Sequence, residues 1–168
     1  MHLPSSSLMR VPTRLRDRLV PEALGLGWMP LLLLGYLVFL FVPVLVPSNA
    51  DWGEGVRWYL WPTLVSIAVF LPMYFLAYRG SAMTRVLCTL GIAALGYGLM
   101  PFNAFSNTYV IYAAAFAALL PGSMWTRLGA LALLLAAYCA MAAWLVFPAF
   151  VPAVTAIVSV AVFSGNYF

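Results

Sequence analysis

The sequence predicts an all-α integral membrane protein, a six-helix transmembrane bundle with both termini cytoplasmic. Three observations predict it. The first is composition: 65% of the 168 residues are hydrophobic, 7% are charged, and mean hydropathy is +1.03. Soluble domains carry about a quarter charged residues, and a soluble fold of this length cannot cover so much apolar surface with so few charges. The second is the recurrence of long apolar runs, which read as membrane spans. The third is the placement of arginine between those runs. At this length the chain makes one bundle, with a basic segment over 1–27 and a polytopic membrane domain over 28–168.

Residues 1–27 hold Arg10, Arg14, Arg16 and Arg18 with Asp17 and Glu22, and no signal-peptide cleavage pattern precedes the first apolar run. Arg14 and Arg18 share a helical face, as do Leu15 and Leu19. A short interfacial helix is one reading; disorder up to about Val11 is the other. The first span is placed at 28–46. A turn at Pro47 to Asn49 and a loop carrying Asp51, Glu54 and Arg57 follow. The second span, 58–78, contains Pro62 and Pro72; Pro72 lies deep inside, so a kink is expected there. A short basic loop, Arg79 to Arg85, leads to the third span at 86–100.

Next comes a polar knot, with Pro101, Asn103, Ser106 and Asn107 crowded together. The apolar run behind it, Thr108 to Leu120, has only about 13 residues, a length that more often marks a buried or re-entrant segment than a full span. Ala104 and Phe105 extend it backward, and Asn103 or Ser106 can cap its start. Pro121-Gly122 ends it, giving a fourth span at 105–120. A fifth is placed at 128–147, a tight turn at Pro148 to Pro152, and a sixth at 153–168.

The arginines test this count. All of the net charge of +4 comes from arginine, since the chain has no lysine. If all six runs cross, Arg10, Arg14, Arg16, Arg18, Arg79, Arg85 and Arg127 share one side, and only Arg57 lies opposite, beside Asp51 and Glu54. The positive-inside rule makes the first side cytoplasmic. The knot is then an external turn whose polar backbone meets water at the interface.

Little chemistry is on offer. The single histidine is His2, and no acidic residue lies inside a span, which argues against a proton relay or cation site at the midplane. Nucleotide-binding, metalloprotease and serine-hydrolase motifs are missing. Asp51 and Glu54 beside Arg57 read as a solvated loop. No metal, cofactor or nucleic acid is called for. Cys88 and Cys139 read as small buried side chains. Alanine recurs at helical spacing, as Ala132, Ala136 and Ala140 and as Ala113 with Ala117 and Ala114 with Ala118. Such stripes let helices approach closely in lipid. Packing within the bundle is the main reading, a dimer seam the sharper alternative. The tryptophans fall near span ends, as interfacial belts do.

Two stretches carry a resemblance. LPMYFLAYRG, Leu71 to Gly80, is similar to the end of the second span in membrane domains of DesK-type sensor histidine kinases, where an aromatic-rich run meets the cytoplasm. MPFNAFSNTYVIYAAAFAALLP, from Met100, resembles that family's turn into its fourth span, with Asn103 kept, Ala104 in place of a proline, and Ile111 to Ala115 intact. The resemblance covers about Trp28 to Phe168. It implies a multi-pass sensor region in the bacterial cytoplasmic membrane, homodimeric, reading a membrane-borne or thermal cue. It also implies a kinase core with ATP, Mg²⁺ and a response regulator as partners; that core is not in this chain, which alone is expected to phosphorylate nothing. The alternative is a small integral membrane subunit or transporter-like protein with no kinase. Under the sensor reading the bilayer is itself the stimulus, and the candidate signalling pivots are Pro72, Pro148, Pro152, Gly165 and Asn166.

Overall fold

A computed structural model describes residues 33–42 and 52–167, with the backbone alone for 52–59. The expectations for 1–27, for both ends of the first span, for the turn at Pro47 to Asn49 and for Asp51 lie outside the described residues. Within them every element is helical. A 3-10 helix runs over Leu34–Phe41. Then come α1 (Trp52–Arg79), α2 (Ala82–Leu99), a 3-10 turn (Ala104–Ser106), α3 (Asn107–Ala117), α4 (Met124–Trp144) and α5 (Phe150–Tyr167). Four stretches are long and apolar enough to cross a membrane: Leu60–Arg79, Ala82–Leu99, Met124–Trp144 and Phe150–Tyr167.

Helix starts depart from the apolar runs that predict them, because caps rather than hydropathy set them. The Ser81 hydroxyl accepts from the Thr84 amide at 3.3 Å and starts α2 ahead of Val86. Ser123 does the same for Thr126 and starts α4 ahead of Leu128. Each satisfies a backbone donor that the first helical turn leaves open. α1 begins at Trp52 rather than Trp58, so Glu54 and Arg57 belong to a helix and not to a loop. It runs on through Pro62 and Pro72 without interruption.

α3 is the axis of the bundle. It has 11 residues, about 16 Å of helix at 1.5 Å per residue, roughly half the hydrocarbon core. From Thr108 to Ala118 only Ile111 escapes full burial. α2 packs antiparallel to it: Gly96 lies against Tyr109 and Val110, where an added Cβ would come within 3.1 Å of the Val110 side chain, and Arg85 reaches Leu119 at the other end. α5 packs parallel to it, with Asn107 bonded to Thr155 and Asn166 to the Ala115 carbonyl. α1 also runs parallel, from Ser66 at Tyr109 to Tyr78 at Phe116. α4 is antiparallel to α5, since Tyr138 packs near the start of α5 and Arg127 sits over Tyr167 at its end. Directions therefore alternate along the chain, and Arg79, Arg85 and Arg127 collect at the end where α5 terminates.

The main core lies between α1 and α3. Phe70, Tyr74, Tyr78, Tyr109, Tyr112 and Phe116 form one buried aromatic cluster. Its ring pairs are tilted or edge-on at 4.8–5.6 Å, the arrangement that aromatic quadrupoles favour.

The knot corrects one expectation. Asn103 is 1% exposed and Ser106 fully buried, while Phe102 and Phe105 are exposed. The turn is inside out relative to a wet interfacial loop. Protein groups replace water there: Asn103 Nδ2 donates to the Leu40 carbonyl at 2.8 Å and to Thr63 Oγ1 at 3.0 Å, and its Oδ1 accepts from the Phe105 amide at 2.9 Å. Two smaller expectations also fail. Cys139 is exposed, although Cys88 is buried. Ala132, Ala136 and Ala140 face outward, against packing within the bundle though not against the dimer-seam alternative, while Ala113, Ala114, Ala117 and Ala118 are buried as expected.

Candidate functional site

The chemistry-bearing groups of the described chain gather at the two ends of α3. At its start, Ser66 and Tyr109 share a hydroxyl hydrogen bond of 2.8 Å beside Asn103 and Thr63. Tyr112, farther along, donates to the Leu33 carbonyl, tying the first helix to the axis. Ser106 and Ser159 hold buried hydroxyls that no described group serves.

At the other end two arginines from different helices meet the carbonyls of the two residues that follow α3. Arg85 Nη1 donates to Leu119 O at 2.9 Å, and its Nε donates to Ala77 O at 3.1 Å. Arg127 Nη1 donates to Ala118 O at 3.1 Å, and its guanidinium carbon lies 5.6 Å from the centre of the Tyr167 ring. Cations at a helix C-terminus complement the negative end of its dipole, and the donors satisfy carbonyls that the helix leaves open. A short helix can therefore end inside the bundle without lipid-exposed polar backbone. No carboxylate follows Glu54 in the sequence, so residues 55–168 supply these arginines with no counter-ion.

The sequence carries a signal for this pair that spacing alone did not reveal. Gly80-Ser81-Ala82-Met83-Thr84-Arg85 and Gly122-Ser123-Met124-Trp125-Thr126-Arg127 are the same motif, Gly-Ser-x-x-Thr-Arg. In each copy the serine caps a helix, its hydroxyl also meets the threonine hydroxyl (3.0 and 3.1 Å), and the arginine reaches back to α3. Glycine is needed in both. A Cβ at Gly80 would sit 2.7 Å from Leu76 O, and Gly122 has φ +115.

A groove of about 430 Å³ opens beside this end. α2 and α4 form its walls and α3 its floor, with Ala113 and Ala117 at the bottom. It runs from Val86, Leu120 and Ala130 near the arginines to Tyr97 and Ala137.

The five predicted pivots do not form one site. Pro72 is exposed on the outer face of α1. Pro148 and Pro152 flank the start of α5, and Gly165 and Asn166 lie at its end. An added Cβ at Gly165 would meet nothing, whereas Asn166 Nδ2 donates to Ala115 O at 3.3 Å. The turn before Pro148 holds a left-handed residue: Val146 has φ 57, its amide bonds to Ala143 O, and the Phe147 amide bonds to Ala142 O. That is a Schellman ending with a β-branched residue where glycine is usual. Among the described residues no group of histidine, cysteine or acid side chains could hold a metal. No protein-family model, no curated protein and no solved structure matches the chain.

Proposed function

We propose that this chain is the membrane-embedded sensor and signal-transmission region of a two-component histidine kinase. It reads the state of the bilayer, dimerises within it, and passes the signal to a cytoplasmic kinase core beyond Phe168. The observation that carries the reading is that the two stretches bearing the family resemblance are each other's packing partners. Tyr74 of the first meets Tyr112 and Phe116 of the second edge-on, and Tyr78 meets Phe116 in the same way. The parts that look like the family are thus the core itself. Supporting it, α5 leaves the bundle at the arginine-bearing end, the cytoplasmic side under the positive-inside rule.

The stimulus follows from dimensions. α3 is shielded by its neighbours, but α2 and α5 have 18 residues each, about 27 Å of helix against a hydrocarbon core of about 30 Å, so a change in bilayer thickness must be met by tilt or by local thinning. Mismatch costs fractions of a kcal/mol per Å. Summed over several helices and two protomers, a thickness change of about 2–3 Å is worth a few kcal/mol by that estimate. That shifts a two-state equilibrium by one or two decades. The test fuses a kinase core after Phe168 and reconstitutes the chimera in bilayers of graded acyl length. Autophosphorylation should change at least tenfold across the series. Flat activity across thickness and temperature would reject the reading in favour of a membrane subunit without a kinase.

A further inference from the structure

We propose that the groove between α2 and α4 holds one acyl chain of an anionic phospholipid whose phosphate meets Arg85 and Arg127. The proposal stands on the groove and does not require a kinase. The groove has the size of a ligand site and an almost wholly apolar lining. Its rim is open sideways, with Leu90 and Leu133 62% and 73% exposed. It therefore faces the acyl region of the membrane.

Charge complementarity selects the occupant. The groove begins at Val86 and Leu120, the residues that follow Arg85 and its acceptor Leu119, and Ala130 lies one helical turn from Arg127. A chain lying in it places its headgroup between the two guanidiniums. Each guanidinium has five N–H donors. Arg85 uses Nε and Nη1 and Arg127 uses Nη1 on protein carbonyls, Arg127 Nε is buried, so the phosphate meets the remaining guanidinium donors, and no Asp or Glu side chain of residues 55–168 competes. The N-termini of α2 and α4 lie at the same end and add positive potential. Trp125, 81% exposed beside Arg127, sits where an interfacial anchor belongs. Basic pockets between helices on the cytoplasmic side suit anionic headgroups.

The test is native mass spectrometry of the full chain in detergent, titrated with phosphatidylglycerol and with phosphatidylcholine of the same chains. Phosphatidylglycerol should be retained at least about fivefold more strongly, as one arginine near an anionic headgroup predicts. Ala94→Phe and Ala137→Phe fill the groove from outward-facing wall positions and should cut that retention without disturbing the core. Arg127→Gln should narrow the preference between the two lipids, and Arg127→Lys should keep part of it. Equal retention of both lipids, or full retention by the groove-filled variants, would overturn the proposal. So would a photocrosslinker at Ala94 that captures a second copy of the chain instead of lipid.

Discussion

Arg85 and Arg127, on different helices, donate to consecutive carbonyls, Leu119 and Ala118, at the end of the axis helix. Neither contact is a surface ion pair. Both close a helix end that lipid could not satisfy. Removing either should therefore cost more than an exposed charge would. Arg85→Gln and Arg127→Gln should each lower stability in detergent by about 1–2 kcal/mol, the range for a charge-assisted bond at a helix C-terminus. The double variant should depart from additivity, because the sites share one helix end. Thermal unfolding of the four proteins measures this; two neutral single variants would refute the capping role.

Asn103 closes the opposite end. Asn103→Leu is close in volume but leaves the Leu40 carbonyl, Thr63 and the Phe105 amide without their partner. The expected loss is about 2–6 kcal/mol, at 1–3 for each of the two buried partners, Leu40 O and Thr63 Oγ1, left unsatisfied. Thr63→Val, which removes one of the three contacts, should cost about 1 kcal/mol. Equal effects of the two changes would contradict the central place of Asn103.

Val146 is the reverse case. A β-branched residue in the left-handed region costs about 1–2 kcal/mol, and it is 86% exposed, so little packing compensates. Val146→Asn should raise stability by about 1 kcal/mol, since asparagine tolerates this position of a helix end. An unchanged or lower unfolding temperature would show that lipid contact outweighs the strain.

Gly165 separates structure from signalling. Nothing crowds it, so Gly165→Ala should stabilise α5 by about 0.5–1 kcal/mol. If the end of α5 flexes as the signal passes, the same change should blunt the thickness response of a kinase chimera. A stiffer helix with an unaltered response would remove Gly165 from the pivots.

The course of the chain was legible in its sequence because apolar runs and arginine placement are one-dimensional signals. The starts of α2 and α4 were not, because Ser81 and Ser123 start helices by local hydrogen bonds that hydropathy does not register. In sequence the knot reads as wet because Asn103 and Ser106 are polar. The burial of Asn103 depends on Leu40 and Thr63, both far away in sequence. In sequence the paired arginines read only as topology signals. The repeated Gly-Ser-x-x-Thr-Arg motif was there to be found, but its meaning requires knowing that both copies face the end of α3.

Helix directions alternate through a short buried axis, so that the two arginine motifs share one side. Cysteine accessibility tests it most directly, in a background with Cys88 and Cys139 replaced by alanine. Single cysteines go in at exposed Met83 and Trp125, variable positions within the motifs, and at exposed Phe102 and Val146 at the other end. With a membrane-impermeant maleimide on sealed vesicles of known orientation, Met83→Cys and Trp125→Cys should label from the cytoplasmic face only, and Phe102→Cys and Val146→Cys from the opposite face only. Labelling of Met83→Cys and Trp125→Cys from opposite faces would contradict the account.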